Sequence, residues 1–103
     1  MANRNKDFNT LVADKFKNRK FAQAYIINLI NKEGMSLEEA LRETIISMGL
    51  QVFADKAGLS IQYVSDFVNK RRKFTTGAID KYLNKVFQLQ IKISVESIRS
   101  EVA

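Results

Sequence analysis

The sequence predicts an all-α fold, a five-helix domain with a short helical stretch before it and a short C-terminal β-strand after it. Apolar residues recur at intervals of three and four from Phe8 to Phe87, glycines and capping residues punctuate that rhythm, and the last apolar stretch alternates instead. With 103 residues the chain can enclose one core and is short for two. Its 46% apolar and 27% charged content is that of a folded protein, not of a disordered or low-complexity one.

Residues 1–6 are polar and without period, and are expected to fray. From Asp7, the positions Phe8, Leu11, Val12 and Phe16 follow the spacing of a short helix. Phe21, Ala24, Tyr25, Ile26, Leu29 and Ile30 then form a broad apolar face that Gly34 ends, so residues 7–34 read as N-terminal helices. Ser36 and Glu39 make a capping box at the head of a helix whose inner face is Leu37, Ala40, Leu41, Thr44, Ile45 and Met48. Glu38 and Glu39 suit the positive end of that helix dipole, and Glu38 can pair with Arg42.

After Gly49 the spacing tightens. Leu50 to Ala57 is a helix of barely two turns, Gly58, Leu59 and Ser60 turn the chain sharply, and Ile61 to Asn69 is a second short helix. A further helix from Thr75 or Thr76 presents Ile79, Tyr82, Leu83, Val86 and Phe87. Residues 35–88 therefore form the central unit. Beyond it Leu89, Ile91, Ile93 and Val95 alternate with Gln90, Lys92, Ser94 and Glu96, the pattern of a strand with one apolar face over 89–96. No other strand is predicted to pair with it. The same strand of a second subunit would satisfy its backbone, so a homodimer is expected; packing as an extended cover on the chain's own helices is the alternative. Residues 97–103 are expected to form a flexible tail.

The absence of Cys and His removes disulfides and the usual zinc ligands, and no imidazole is present to activate a serine nucleophile. The four glycines stand far apart, so no phosphate-binding loop is present. No enzyme activity, catalytic residue, metal or cofactor is expected. No apolar run is long enough to span a bilayer and no signal sequence opens the chain, so a cytoplasmic protein without a membrane partner is expected.

Seventeen basic against eleven acidic residues give a net charge of +6, which favours polyanionic partners. Residues 60–90 hold six basic and two acidic side chains, and residues 1–34 seven and three. The second block includes Lys15, Lys17, Arg19 and Lys20, able to touch DNA or an acidic partner, or simply to keep the surface soluble.

The stretch from Ala54 to Phe67 has the pattern of a DNA-reading helix-turn-helix. Ala54 is small where two helices cross, Gly58 turns, Leu59 plugs the core and Val64 anchors the second helix. With Val64 and Phe67 inward, Ile61, Gln62, Tyr63, Ser65 and Asp66 form the outer face. On these residues the chain resembles the lambda-repressor-like, or Xre-type, regulators over roughly Ser36 to Leu89. The resemblance implies that Gln62 and Asp66 read bases, with Ile61, Tyr63 and Ser65 around them. Gln can pair with adenine and Asp with the cytosine amino group, though Asp66 could equally repel wrong sequences or cap its helix. It further implies phosphate contacts by Gln51, Ser60, Asn69, Lys70, Arg71, Arg72 and Lys73. The chain departs from the family pattern at Leu50 and Gln51, where a Gln in another register is common, at Val68 for a frequent Glu, and at Lys70 for a frequent Gly.

A narrower resemblance spans about Phe16 to Leu89. Phe21, Ala22, Tyr25, Ile26 and Leu29, followed by an acidic helix and the same motif, are similar to antitoxins of bacterial addiction modules. It implies a repressor of its own operon that also binds a toxin protein, and the two-fold axis of the expected homodimer predicts an inverted-repeat operator in double-stranded DNA. A module that sequesters a toxin or other protein without specific DNA binding is the alternative.

Overall fold

The computed structural model describes residues 11–95, 97 and 98. The regular structure among the described residues is all helical, with no strand. Phe8, the expected frayed start, Glu96 and most of the expected tail lie outside the described residues; Ser97 and Ile98 are exposed.

After a helical stretch at residues 11–15, five α-helices follow: α1 (Arg19–Asn31), α2 (Leu37–Met48), α3 (Leu50–Ala57), α4 (Ile61–Val68) and α5 (Thr76–Tyr82). Each start has a chemical cause. The side chains of Asn18, Ser60 and Thr75 accept from the backbone N–H three residues on, each at 3.1 Å, which satisfies a donor the helix itself leaves free. At α2 the Ser36 hydroxyl accepts from the Glu39 N–H, and the Glu39 carboxylate accepts in return from the Ser36 N–H, both at 3.1 Å. Between α3 and α4, Gly58 adopts φ +75°, and the Leu59 N–H reaches back to the Ala54 carbonyl at 2.9 Å.

The inner face of α2 is as the spacing predicts: Ala40, Leu41, Thr44, Ile45 and Met48 are buried, and the Thr44 hydroxyl donates to the Ala40 carbonyl at 2.7 Å. On α1 the face is rotated from the expected one. Ala22 and Ile26 are buried while Ala24 is exposed, because the four-residue step from Ala22 to Ile26 sets the inward line and Ala24 lies two residues off it. Leu11, expected inward, is exposed. The last predicted helix is α5 continued by a wider π-turn, Leu83–Phe87, which keeps both Leu83 and Phe87 buried. Gln88 then ends it in the left-handed conformation at φ +54°.

These elements enclose one apolar cluster that runs from Phe16 through Ile26, Leu41, Phe53 and Phe67 to Phe87. Beyond it the chain is extended without regular structure. Leu89 and Ile91 lean on the cluster, and the Ile91 N–H donates to Asp80 Oδ1 at 2.9 Å. Ile93 and Val95 then stand 80% and 93% exposed. The alternation is thus used in part, its first half against the chain's own helices. No strand forms over the described part of 89–96, since a β-ladder needs a second edge and the described residues supply none. Among the described residues no helix is long and apolar enough to cross a membrane.

Candidate nucleic-acid interface

The site is built on α4. Val64 and Phe67 are fully buried, which fixes the rotation of the helix and turns Ile61 and Gln62 to solvent. Ser65 and Asp66 are half-buried along the same outer side. Gln62 Nε2 donates to Asp66 Oδ1 at 2.9 Å, one helical turn on. Of the options open to Asp66, its carboxylate holds a neighbouring amide. A primary amide has two N–H donors and a carbonyl oxygen, so Gln62 keeps one donor and its acceptor available while its orientation is set. Gln51 on α3 repeats the arrangement with Asp55, also at 2.9 Å, and is exposed.

Tyr63 sits differently from its neighbours. It is half-buried, with its ring 5.6 Å from that of Phe74 and the Arg72 guanidinium 4.4 Å above its face. Burial, together with the adjacent Tyr63 hydroxyl, pushes the Tyr82 phenol above its ordinary value, which keeps it neutral. The Tyr63 ring therefore supports Arg72 and the following loop more than it extends outward.

That loop is pinned at both ends. The Asn69 N–H donates to the Ser65 carbonyl at 2.9 Å, and the Asp66 carbonyl accepts from the Arg71 and Arg72 N–H groups at 2.8 and 3.2 Å. Asn69 Nδ2 also donates to Ser65 Oγ at 3.1 Å. At the far end Phe74 is buried, stacked on Phe67 with ring centroids 4.0 Å apart and edge-on to Tyr82 at 5.1 Å. Between these anchors Lys70, Arg71, Arg72 and Lys73 are all exposed, and among the described residues none forms an ion pair. Lys70 carries φ +65°, the left-handed conformation that favours glycine. Ser60 spends its hydroxyl on the α4 cap, so its side chain is a structural contact first.

No family model, curated protein or solved structure matches this chain. The reading of the surface therefore rests on its own geometry. The arrangement offers one oriented amide and an exposed apolar side chain on a short helix, beside four unneutralised cations on a braced loop, a combination suited to a groove flanked by phosphates.

Two residues not singled out in the sequence hold this surface together. Phe74 is the first, placed by its three aromatic contacts. Arg42 is the second: besides its 3.5 Å pair with Glu38, it donates from Nε to the Phe67 carbonyl at 3.1 Å and lies 4.8 Å over the Phe67 ring. It thereby shares the Phe67 carbonyl at the end of α4 with the Lys70 N–H, which donates to the same oxygen at 3.1 Å. The only signal for Phe74 was a lone aromatic closing a run of cations; Arg42 showed only its local charge pairing.

Proposed function

We propose that the protein is a sequence-specific DNA-binding transcriptional regulator, a homodimeric repressor acting at an inverted-repeat operator in the cytoplasm, and that it serves as the antitoxin of a toxin–antitoxin module. The observation that carries this reading is the exposure of Lys70, Arg71, Arg72 and Lys73 on a loop braced directly onto the helix that exposes Ile61 and Gln62. In this reading Gln62 reads adenine, with Ile61, Ser65 and Asp66 lining the groove, and the cations hold the backbone. The mechanism is occlusion of a promoter and needs no catalytic group. The open edge at Ile93 and Val95 serves as the dimer strand, with the same segment of a second copy as its partner.

A second reading, a module that sequesters a partner protein, is favoured by an apolar groove of about 290 Å3 between α1 and residues 89–91, walled by Ile27, Ile30, Leu37 and Leu89. Selection of DNA from a random pool separates the two. The regulator reading expects enrichment of an inverted repeat with half-sites about one helical turn, ~34 Å, apart. A pool without enrichment, with a protein partner co-purifying through the groove, contradicts it and supports the second.

A further inference from the structure

Lys17 and Arg19 take no part in the surface described above. The fold brings them together with two cations distant in sequence, Lys56 from the last turn of α3 and Lys85 from the π-turn, around one cleft of about 270 Å3. Phe16, Met48 and Phe87 also line it, and among the described residues no acidic side chain does. Among the described residues the one ion pair at its rim is Lys17 with Asp14 at 3.5 Å, between side chains 84% and 60% exposed, a geometry worth little. Among the described residues Arg19, Lys56 and Lys85 form none.

Local helix electrostatics account for a part of this. Lys85 Nζ lies against the turn that ends α3, 2.9 Å from where a Cβ on Gly58 would stand, and Lys56 is in the last turn of the same helix. A helix C-terminus carries roughly half a negative charge, enough to favour about one cation and not four. The remaining positive charge is left around a concave surface whose wall is fixed. Gln23 Nε2 donates to the Phe87 carbonyl at 2.9 Å, and the Leu89 N–H donates to the Leu83 carbonyl at 3.0 Å, so the π-turn is tied to α1 and closed on itself. Three lysines and an arginine lining one concavity match an anion with several charges and many acceptor oxygens.

We infer that this cleft is a binding site for a phosphate-rich anion of the pyrophosphate class, separate from the surface on α4. The phosphates are supplied either by a free phosphorylated molecule, whose organic part would meet the apolar lining, or by the backbone of a bound duplex. The inference does not rest on the DNA-binding reading, because pyrophosphate binding needs neither α4 nor the loop at 70–73.

The test is a titration of the isotopically labelled full chain with sodium pyrophosphate at constant ionic strength, following backbone amides. It is repeated on the double variants Lys56→Gln/Lys85→Gln and Lys70→Gln/Arg71→Gln; all four positions are exposed, so both variants should fold. The expected result is saturable shifts at Lys56, Lys85 and Gln88, with binding roughly tenfold weaker in the first variant and unchanged in the second. Equal binding by the first variant, or an equal loss in both, overturns the inference. The source is read from duplex binding. Loss of about 1.8 from the salt slope in the first variant identifies the DNA backbone, and an unchanged slope with pyrophosphate and duplex bound together identifies a free phosphorylated molecule. Saturable pyrophosphate binding without any duplex binding also supports the cleft and counts only against the regulator reading.

Discussion

The loop after α4 and the segment after the π-turn both leave the core carrying a set of like residues, consecutive cations at 70–73 and alternate apolar side chains at 89, 91, 93 and 95, yet they are held very differently. The first is bonded to the end of α4 at its start and anchored by the buried ring of Phe74 at its close. The second is held through Leu89 and Ile91 and is then free of the helices, with Ile93 and Val95 exposed. A charged loop braced at both ends is preorganised for a rigid polyanion, since little ordering entropy remains to be lost on binding. An apolar edge with open backbone groups gains its order only from a partner.

Phe74→Ala should break the first region most severely. Losing a buried ring that contacts three other aromatics should cost about 3 to 5 kcal/mol in chemical denaturation, and should raise amide exchange across residues 69–75. A loss well under 1 kcal/mol would show that the loop is held by its backbone bonds alone.

Next in size are effects on binding. Gln62→Ala should cost roughly 1 to 3 kcal/mol at the preferred sequence and relax preference at one base position, measured by fluorescence anisotropy on a set of duplexes. Arg71→Ala should weaken all sequences alike and reduce the salt slope by about 0.9. A uniform loss from Gln62→Ala would place its amide on the backbone instead.

Lys70→Gly sharpens the comparison because it separates folding from binding. Relief of the left-handed conformation should stabilise the fold by up to about 1 kcal/mol in thermal melts, while removal of one cation lowers DNA affinity. Stability and affinity falling together would mean that the Lys70 side chain braces the loop.

Ile93→Ser with Val95→Ser should have the smallest effect on the single chain, within about 0.5 kcal/mol, because both side chains are exposed. Its effect should instead appear in sedimentation equilibrium, as loss of the dimer. A variant that remains dimeric would move the two-fold contact to another surface.

Local chemistry made much of this fold legible. The capping box at Ser36, the turn at Gly58 and the inner faces of α2 and α4 follow from short-range spacing and hydrogen bonding, which a sequence displays directly. The π-turn at Leu83–Phe87 was not legible, because its apolar residues keep helical spacing whether the turn is α or π. Arg42 and Phe74 act through contacts with residues 25 and 7 positions away, and Lys17, Arg19, Lys56 and Lys85 meet only once the chain is folded. The left-handed conformation of Lys70 was not legible from spacing, because a single positive φ after a helix leaves no periodic signal.

In the proposed function the outer side of α4 and the cations following it form the surface that meets DNA. Amide shift mapping of the full chain titrated with a selected duplex tests it most directly. The largest changes should fall on Ser60 to Asp66 and on Asn69 to Lys73, and they should titrate together. Changes confined to α1 and residues 89–95, with α4 unmoved at saturating duplex, would contradict it.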